Sequence, residues 1–185
     1  MKEYYMPKKQ IKVAIVGAGR VAENFHLPAW QKVADASVVG ICDLKKDRAD
    51  SLADKFSIES VFDDYEALLR RQDVDVVEIV TPHALHGRQI ISALNHGKHV
   101  LVEKPFTTSP IEAEEILSLS KKSKKKVMCL QHQRFRPPTR KAMELIQKNE
   151  LGDIYYAKAM AIETRNVPIQ NDSFTTKALG GGGPL

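Results

Sequence analysis

The chain has 185 residues, of which 43% are hydrophobic and 28% are charged. This balance excludes a disordered chain, and the length allows one ordinary domain or one domain with part of a second. Much of the formal net charge of +5 is local, in a run of lysines with no interleaved aromatic residues (Lys121, Lys122, Lys124, Lys125 and Lys126), so these lysines are expected to be solvated at a helix end rather than to bind nucleic acid.

Residues 1–10 are expected to form a short mobile leader, because charges and Pro7 stand where a signal peptide needs an apolar stretch. No apolar run is long enough to span a membrane. The two cysteines, Cys42 and Cys129, lie in apolar runs and are interpreted as buried free thiols. These features predict a cytoplasmic protein that binds neither a membrane nor nucleic acid.

Strands and helices alternate through the first 130 residues. Short apolar runs predict strands at 11–16, 38–42, 58–62, 74–80, 99–102 and 127–130. Helical spacing predicts helices at 21–33, 48–56, 65–70 and 85–95, and one that opens at Pro110. Pro28 must bend or divide the first helix, Gly97 stops the fourth, and Ser109 is the N-cap of the fifth. Repeated β-α-β units predict an α/β fold, a Rossmann-type doubly wound parallel sheet.

The pattern changes after residue 133. Pro137 and Pro138 precede an amphipathic helix at 139–148, and the alternating residues 154–162 predict a long, half-exposed strand. One strand cannot satisfy its own hydrogen-bonding groups. We therefore expect residues 11–133 to form a dinucleotide-binding domain and residues 134–185 to be the truncated start of an α+β substrate domain.

The first strand runs into a glycine-rich turn that is typical of phosphate binding. Gly17 allows a tight turn, Gly19 leaves room for a pyrophosphate, and Ala22 lets the helix pack on the strand. The predicted cofactor loop is Gly17, Ala18, Gly19, Arg20, Val21 and Ala22. Asp43, at the end of the second strand, can accept both ribose hydroxyls and would repel a 2′-phosphate. NAD is therefore favoured over NADP, a preference that Lys45 and Lys46 soften.

Two alternatives accompany this interpretation. The glycines could serve only to turn the chain in an α/β fold that binds no nucleotide. A methyltransferase also has a glycine-rich first turn and an acidic residue after its second strand, but it would not explain the segments that follow.

Two later stretches are expected at the same edge of the sheet, since parallel strands end there together. They read Val80-Thr81-Pro82-His83-Ala84-Leu85-His86 and Gly97-Lys98-His99-Val100-Leu101-Val102-Glu103-Lys104-Pro105. With the opening motif they resemble the Gfo/Idh/MocA family, that is, glucose-fructose oxidoreductase, inositol dehydrogenase and their relatives. The Glu-Lys-Pro triplet is the most specific signature, and the resemblance covers nearly the whole chain from Lys12 onward. It implies an NAD-dependent oxidoreductase that transfers hydride between nicotinamide and a sugar, cyclitol or related carbohydrate alcohol.

The resemblance also implies roles for individual residues. Lys104 corresponds to the lysine beside the reacting carbon, where it contacts cofactor and substrate and its ammonium stabilises developing negative oxygen. Glu103 more plausibly orients the ribose or the lysine than transfers a proton. Thr81 and Pro82 are expected to shape the cofactor slot. His86 either bonds to the cofactor or is a structural residue, and the two are equally expected. Arg134 is expected to contact the carboxamide or substrate, and Arg165 a sugar hydroxyl or carboxylate. No histidines have a spacing that indicates a metal site.

The tail is similar to relatives that continue through a Gly-Gly-Gly turn into a helix with a catalytic aspartate and histidine. This chain ends at Leu185, before that helix. We therefore expect the 185 residues alone to be inactive, and the full-length family member to be a homo-oligomer. The alternative function is a noncatalytic NAD(P)-binding protein or sensor.

Overall fold

Six short apolar segments form one parallel sheet in the structure, a computed structural model that describes residues 10–160 and 177–180. The strands are β1 (Ile11–Val16), β2 (Ala36–Cys42), β3 (Ser60–Phe62), β4 (Val76–Ile79), β5 (His99–Val102) and β6 (Val127–Cys129). Their order across the sheet is β3-β2-β1-β4-β5-β6. The order reverses between β1 and β4, and this reversal opens a crevice at the carboxyl edge where open α/β sheets bind ligands. The predicted Rossmann-type fold is confirmed.

Helices cover both faces of this sheet. They are α1 (Leu27–Trp30), preceded without a break by a π-helical turn (Ala22–His26), then α2 (Lys46–Phe56), α3 (Tyr65–Leu69), α4 (His86–Asn95), α5 (Pro110–Ser123), α6 (Pro137–Gln147) and α7 (Lys177–Gly180). Short 3-10 turns lie at His83–Leu85 and His132–Phe135.

Side chains of β1 alternate between two apolar clusters, as successive residues of a strand must. Ala14 and Val16 belong to the cluster under α3, α4 and α5, whereas Ile15 belongs to the cluster under α2 and the first helical segment. All three side chains are buried. A central strand buried on both faces explains why residues 13–16 are all apolar.

The first helix is not divided at Pro28, but its turn changes just before it. Residues 20–30 are helical, but the Leu27 N–H donates to the Ala22 carbonyl, a wider turn than that of an α-helix. Proline has no N–H to donate, and this π turn directly precedes it. The helix ends at Trp30 rather than at the predicted residue 33, and the Lys32 and Val33 N–H groups donate only three residues back, to Ala29 and Trp30.

The predicted caps of α4 and α5 are confirmed. Gly97 follows α4 with a left-handed φ of +71°, a conformation that glycine adopts without steric cost. Ser109 is the N-cap of α5, and its Oγ accepts the Glu112 N–H at 3.4 Å.

The strand predicted at 154–162 is wrong over residues 154–160, which form no strand; residues 161 and 162 lie outside the described residues. Tyr155 and Tyr156 are 99% and 73% exposed. An isolated segment gains no strand hydrogen bonds, and no neighbouring strand pairs with this one within the described part of the chain. None of the helices in that part is long and apolar enough to cross a membrane.

Candidate functional site

The carboxyl ends of four adjacent strands bring the predicted site segments together. Backbone hydrogen bonds join successive strand ends: Gly17 N–H to the Cys42 carbonyl at 2.8 Å, Val80 N–H to Val16 at 2.8 Å, and Glu103 N–H to Ile79 at 2.9 Å. The glycine loop, the segment after β2, the segment after β4 and the Glu-Lys-Pro triplet therefore share one edge, as the sequence predicts.

The two glycines of the loop have different surroundings. Gly17 has a φ of +104°, and a Cβ added to it would lie 2.7 Å from the Val80 carbonyl oxygen. A Cβ added to Gly19 would meet no atom within 4 Å, and the helix begins at the next residue. Gly17 is thus required by the fold, whereas Gly19 borders open space at a helix N-terminus. Ala22 is fully buried and packs in the cluster that contains Ile15.

Asp43 connects the end of β2 to the glycine loop. Its Oδ2 accepts the Ala18 N–H at 2.8 Å, and its Oδ1 accepts the Lys45 N–H at 2.8 Å. The carboxylate is half-buried and follows β2 directly. These two bonds fix its position beside the loop. Lys46, which would soften its charge, pairs instead with Asp50 at 2.9 Å.

His86 connects the segment after β4 to the segment after β5. It is fully buried, and its ring nitrogens lie 2.7 Å from the Pro105 carbonyl oxygen and 2.9 Å from that of Thr81. Burial lowers the pKa of this imidazole. A ring enclosed by two backbone carbonyls favours the structural one of the two alternatives for His86. The Thr81 hydroxyl donates to Gln89 Oε1 at 2.5 Å, which further fixes the start of this segment.

Beneath the triplet lies a hydrogen-bonded chain that the sequence analysis missed. His26 Nδ1 is 2.9 Å from Glu78 Oε1, and its Nε2 is 3.2 Å from Glu103 Oε1. The Trp30 indole N–H donates to Glu78 Oε2 at 2.6 Å. At the other end, the Lys104 N–H donates to Glu103 Oε2 at 2.9 Å. The chain runs from α1 to the residue predicted to be catalytic.

The charges of the His26 and Glu103 side chains stabilise each other. Burial lowers the pKa of His26, but its hydrogen bonds with Glu103 and Glu78 and their charges outweigh burial and raise it to about 9. Burial raises the pKa of Glu103, whereas the hydrogen bonds from His26 and the Lys104 amide lower it, and the net shift is downward. A charged imidazole therefore faces an ionised carboxylate beside Lys104.

The sequence contains a signal for this hydrogen-bonded series of side chains. Glu78 interrupts the apolar strand β4 with an acidic residue, and a charge buried in a central strand requires a partner. His26 lies four residues before Trp30, so both lie on one face of the helix and can reach the same carboxylate.

The other predicted site residues lie farther out. Arg134 is exposed in the turn after β6, where with Phe135, Arg140, Met143 and Glu144 it lines an open cavity of about 320 Å³. Lys104, Arg20 and Pro82 border the strand-end edge, with Lys104 and Arg20 exposed. Arg165 lies outside the described residues. No group of three or more His, Cys, Asp or Glu residues in the described ranges could hold a metal ion.

Comparison with protein families matches residues 11–131 to the family described as "Oxidoreductase family, NAD-binding Rossmann fold". Among curated proteins, D-glucoside 3-dehydrogenase of Escherichia coli is 36% identical over 180 residues, which are 97% of this chain and 51% of that protein. The chain spans about half the length of the curated relatives it matches.

Solved structures give the same fold with different nicotinamide cofactors. A scyllo-inositol dehydrogenase from Lactobacillus casei, with bound NAD(H) and scyllo-inositol, has a TM-score of 0.74 and 31% identity over 78% of this chain and 43% of that one. A mutant of a 3-ketoreductase from Actinomadura kijaniata, in complex with TDP-benzene and NADP, has a TM-score of 0.72 and 32% identity over 78% of this chain and 46% of that one.

Proposed function

The chain belongs to the Gfo/Idh/MocA oxidoreductase family, and from this membership we propose that it forms the NAD-binding half of a dehydrogenase acting on a sugar, cyclitol or related carbohydrate alcohol. Residues 11–133 are the cofactor domain in this proposal, and residues 134–185 begin the domain that binds substrate. The observation that carries the proposal is the Asp43 carboxylate, hydrogen-bonded to the glycine loop at the carboxyl edge of the sheet.

The residues at this edge fit a dinucleotide. The open space beside Gly19 suits a pyrophosphate, because a larger side chain would occupy it. The helix of residues 20–30 begins there. Its first N–H groups can donate hydrogen bonds to phosphate oxygens, and the positive end of its dipole favours their negative charge. Gly17, Ala18, Arg20, Val21 and Ala22 complete the proposed loop.

Asp43 supports a preference for NAD over NADP. A carboxylate accepts hydrogen bonds from ribose hydroxyls, and its charge repels a 2′-phosphate. The hydrogen bonds from the Ala18 and Lys45 N–H groups leave further acceptor sites on Asp43, since two carboxylate oxygens offer about four. The similar solved structures contain NAD(H) in one case and NADP in another. The proposed preference for NAD therefore depends on Asp43 of this chain and not on its relatives.

Lys104 supplies the catalytic charge in the proposed reaction. Oxidation of a secondary alcohol removes a hydride from carbon and a proton from oxygen; a bound nicotinamide would supply the hydride acceptor, and the proton would pass to a base in the substrate domain. The Lys104 ammonium would donate a hydrogen bond to the alcohol oxygen and stabilise the negative charge that develops there. Glu103 orients Lys104 through the backbone N–H it accepts. Thr81 and Pro82 border the nicotinamide side of the slot, and Arg134 and Arg165 remain proposed contacts to carboxamide and substrate.

Calorimetric titration with NADH and with NADPH tests the cofactor assignment. We expect NADH to bind more tightly, and Asp43→Ala to weaken NADH binding by about 1–3 kcal/mol, the usual cost of a lost charge-assisted hydrogen bond. The matched control is Asp35→Ala, which removes an exposed carboxylate just before β2, at the opposite edge of the sheet. Equal or tighter binding of NADPH by the unmodified chain would contradict the proposal.

A further inference from the structure

The buried imidazole of His26 contacts two carboxylates from separate elements. Its side chain is 9% exposed, and those of Glu78 and Glu103 are 3% and 17% exposed. Each ring nitrogen faces a carboxylate oxygen, Nδ1 at 2.9 Å and Nε2 at 3.2 Å. An ionised carboxylate only accepts hydrogen bonds, so both ring nitrogens donate when both carboxylates are ionised.

Each carboxylate also accepts a hydrogen bond at its second oxygen. Trp30 Nε1 donates to Glu78 Oε2 at 2.6 Å, and the Lys104 N–H donates to Glu103 Oε2 at 2.9 Å. Burial raises the pKa of Glu103, but the hydrogen bonds from His26 and the Lys104 amide outweigh burial and lower it. The arrangement is therefore an imidazolium between two carboxylates, and the raised pKa of His26, about 9, agrees with it.

The chain of contacts ends at a group that cannot carry a proton onward. The Trp30 indole N–H is a donor only, with no lone pair to accept. A proton that reached Glu78 would have no exit along this path. The arrangement is suited to holding side chains in place and not to relaying protons.

We infer that His26 is a positioning residue: its imidazolium holds the Glu103 carboxylate, which accepts the Lys104 N–H and so holds the Lys104 backbone at the cofactor edge. The charged groups that act on His26 are Glu78 from β4 and Glu103 after β5, with Lys104 acting on Glu103. The catalytic importance of Lys104 rests on the proposed function. The protonation state of His26 and its link to Lys104 through Glu103 do not depend on the proposed function.

Nitrogen NMR of the labelled chain tests the protonation state without any substitution or cofactor. At about pH 7.5, well above the ordinary pKa of histidine, both ring nitrogens of His26 should have the chemical shifts of an imidazolium. Glu78→Gln keeps an acceptor but removes a charge, and should lower the measured pKa of His26 by about one unit or more. A neutral, single-tautomer ring in the unmodified chain would overturn the inference.

Amide hydrogen exchange tests the link to Lys104. His26→Asn should speed exchange of the Lys104 N–H by about tenfold, the equivalent of one hydrogen bond, and leave the β1 amides unchanged. His96→Asn, a half-exposed histidine at the end of α4, is the matched control and should change neither. Unchanged exchange at Lys104, or equal acceleration at Lys104 and β1, would show that His26 only stabilises the fold. Failure of NADH binding would refute the proposed function and leave these results standing.

Discussion

Gly17 and Gly19 are two residues apart in the loop, but we expect substitution at Gly17 to reduce stability and substitution at Gly19 to reduce cofactor binding. At Gly17 the φ of +104° is left-handed, and an added Cβ would lie 2.7 Å from the Val80 carbonyl oxygen. The conformation costs an L-residue roughly 1–2 kcal/mol, and relieving such a clash typically costs roughly 1–3 kcal/mol more. Gly17→Ala should therefore lower the free energy of unfolding by about 2–5 kcal/mol.

At Gly19 neither cost applies. Its φ is not positive, and no atom lies within 4 Å of an added Cβ. Gly19→Val should change the free energy of unfolding by less than about 1 kcal/mol, as do most substitutions away from packed contacts. The side chain would nevertheless occupy the proposed pyrophosphate space, and NADH binding should weaken by at least about a hundredfold.

The two variants are compared by urea unfolding, followed by circular dichroism, and by calorimetric titration with NADH. The expected result is a stable Gly19→Val that does not bind and an unstable Gly17→Ala. Wild-type affinity for NADH in a folded Gly19→Val would refute the reasoning, because residues 17–22 would then be only a turn. Equal loss of stability in both variants would show that the space beside Gly19 is not open.

Two further predictions concern activity and pH. Because the chain spans about half the length of its curated relatives, these residues alone should not reduce NAD with inositol, glucose or related sugars; a version extended past Leu185 should, and comparable turnover by both would contradict the placement of the catalytic groups. His26 has a pKa of about 9 when folded against 6.5 ordinarily, so its contribution to the free energy of unfolding is complete below about pH 6.5 and is lost as the pH rises through 9. The difference in urea unfolding between the unmodified chain and His26→Asn should therefore shrink from pH 6 to pH 10, and a constant difference would contradict the raised pKa.

Short apolar strands between turns were predictable from the sequence. The strands Ile11–Val16 and His99–Val102 have the predicted bounds, because short β-branched runs between turns fit few other structures. Helix α6 begins at Pro137 instead of at 139, since proline suits the first turn of a helix. The shared position of the site loops was predictable from the fold, because the carboxyl ends of parallel strands lie at one edge of the sheet.

Contacts between distant residues could not be predicted in the same way. Glu78 and Glu103 are separated from His26 by 52 and 77 residues, and no periodicity links them. The strand predicted at 154–162 failed for the complementary reason. Its alternation describes a residue pattern, whereas a strand exists only when another strand supplies hydrogen-bond partners.

The buried charges around His26 are better explained by positioning than by stability. Removing ionised groups from water costs free energy, and replacing such a group with apolar residues of similar size is often neutral or stabilising. Within the described residues no buried side-chain nitrogen or oxygen lacks a hydrogen-bond partner, so the cost is offset here by complete pairing. Apolar packing could stabilise the same sheet, but it offers no acceptor for the Lys104 N–H. The requirement that an acceptor be held at this one place accounts for the carboxylate of Glu103, and the need to neutralise that buried carboxylate accounts for the histidine.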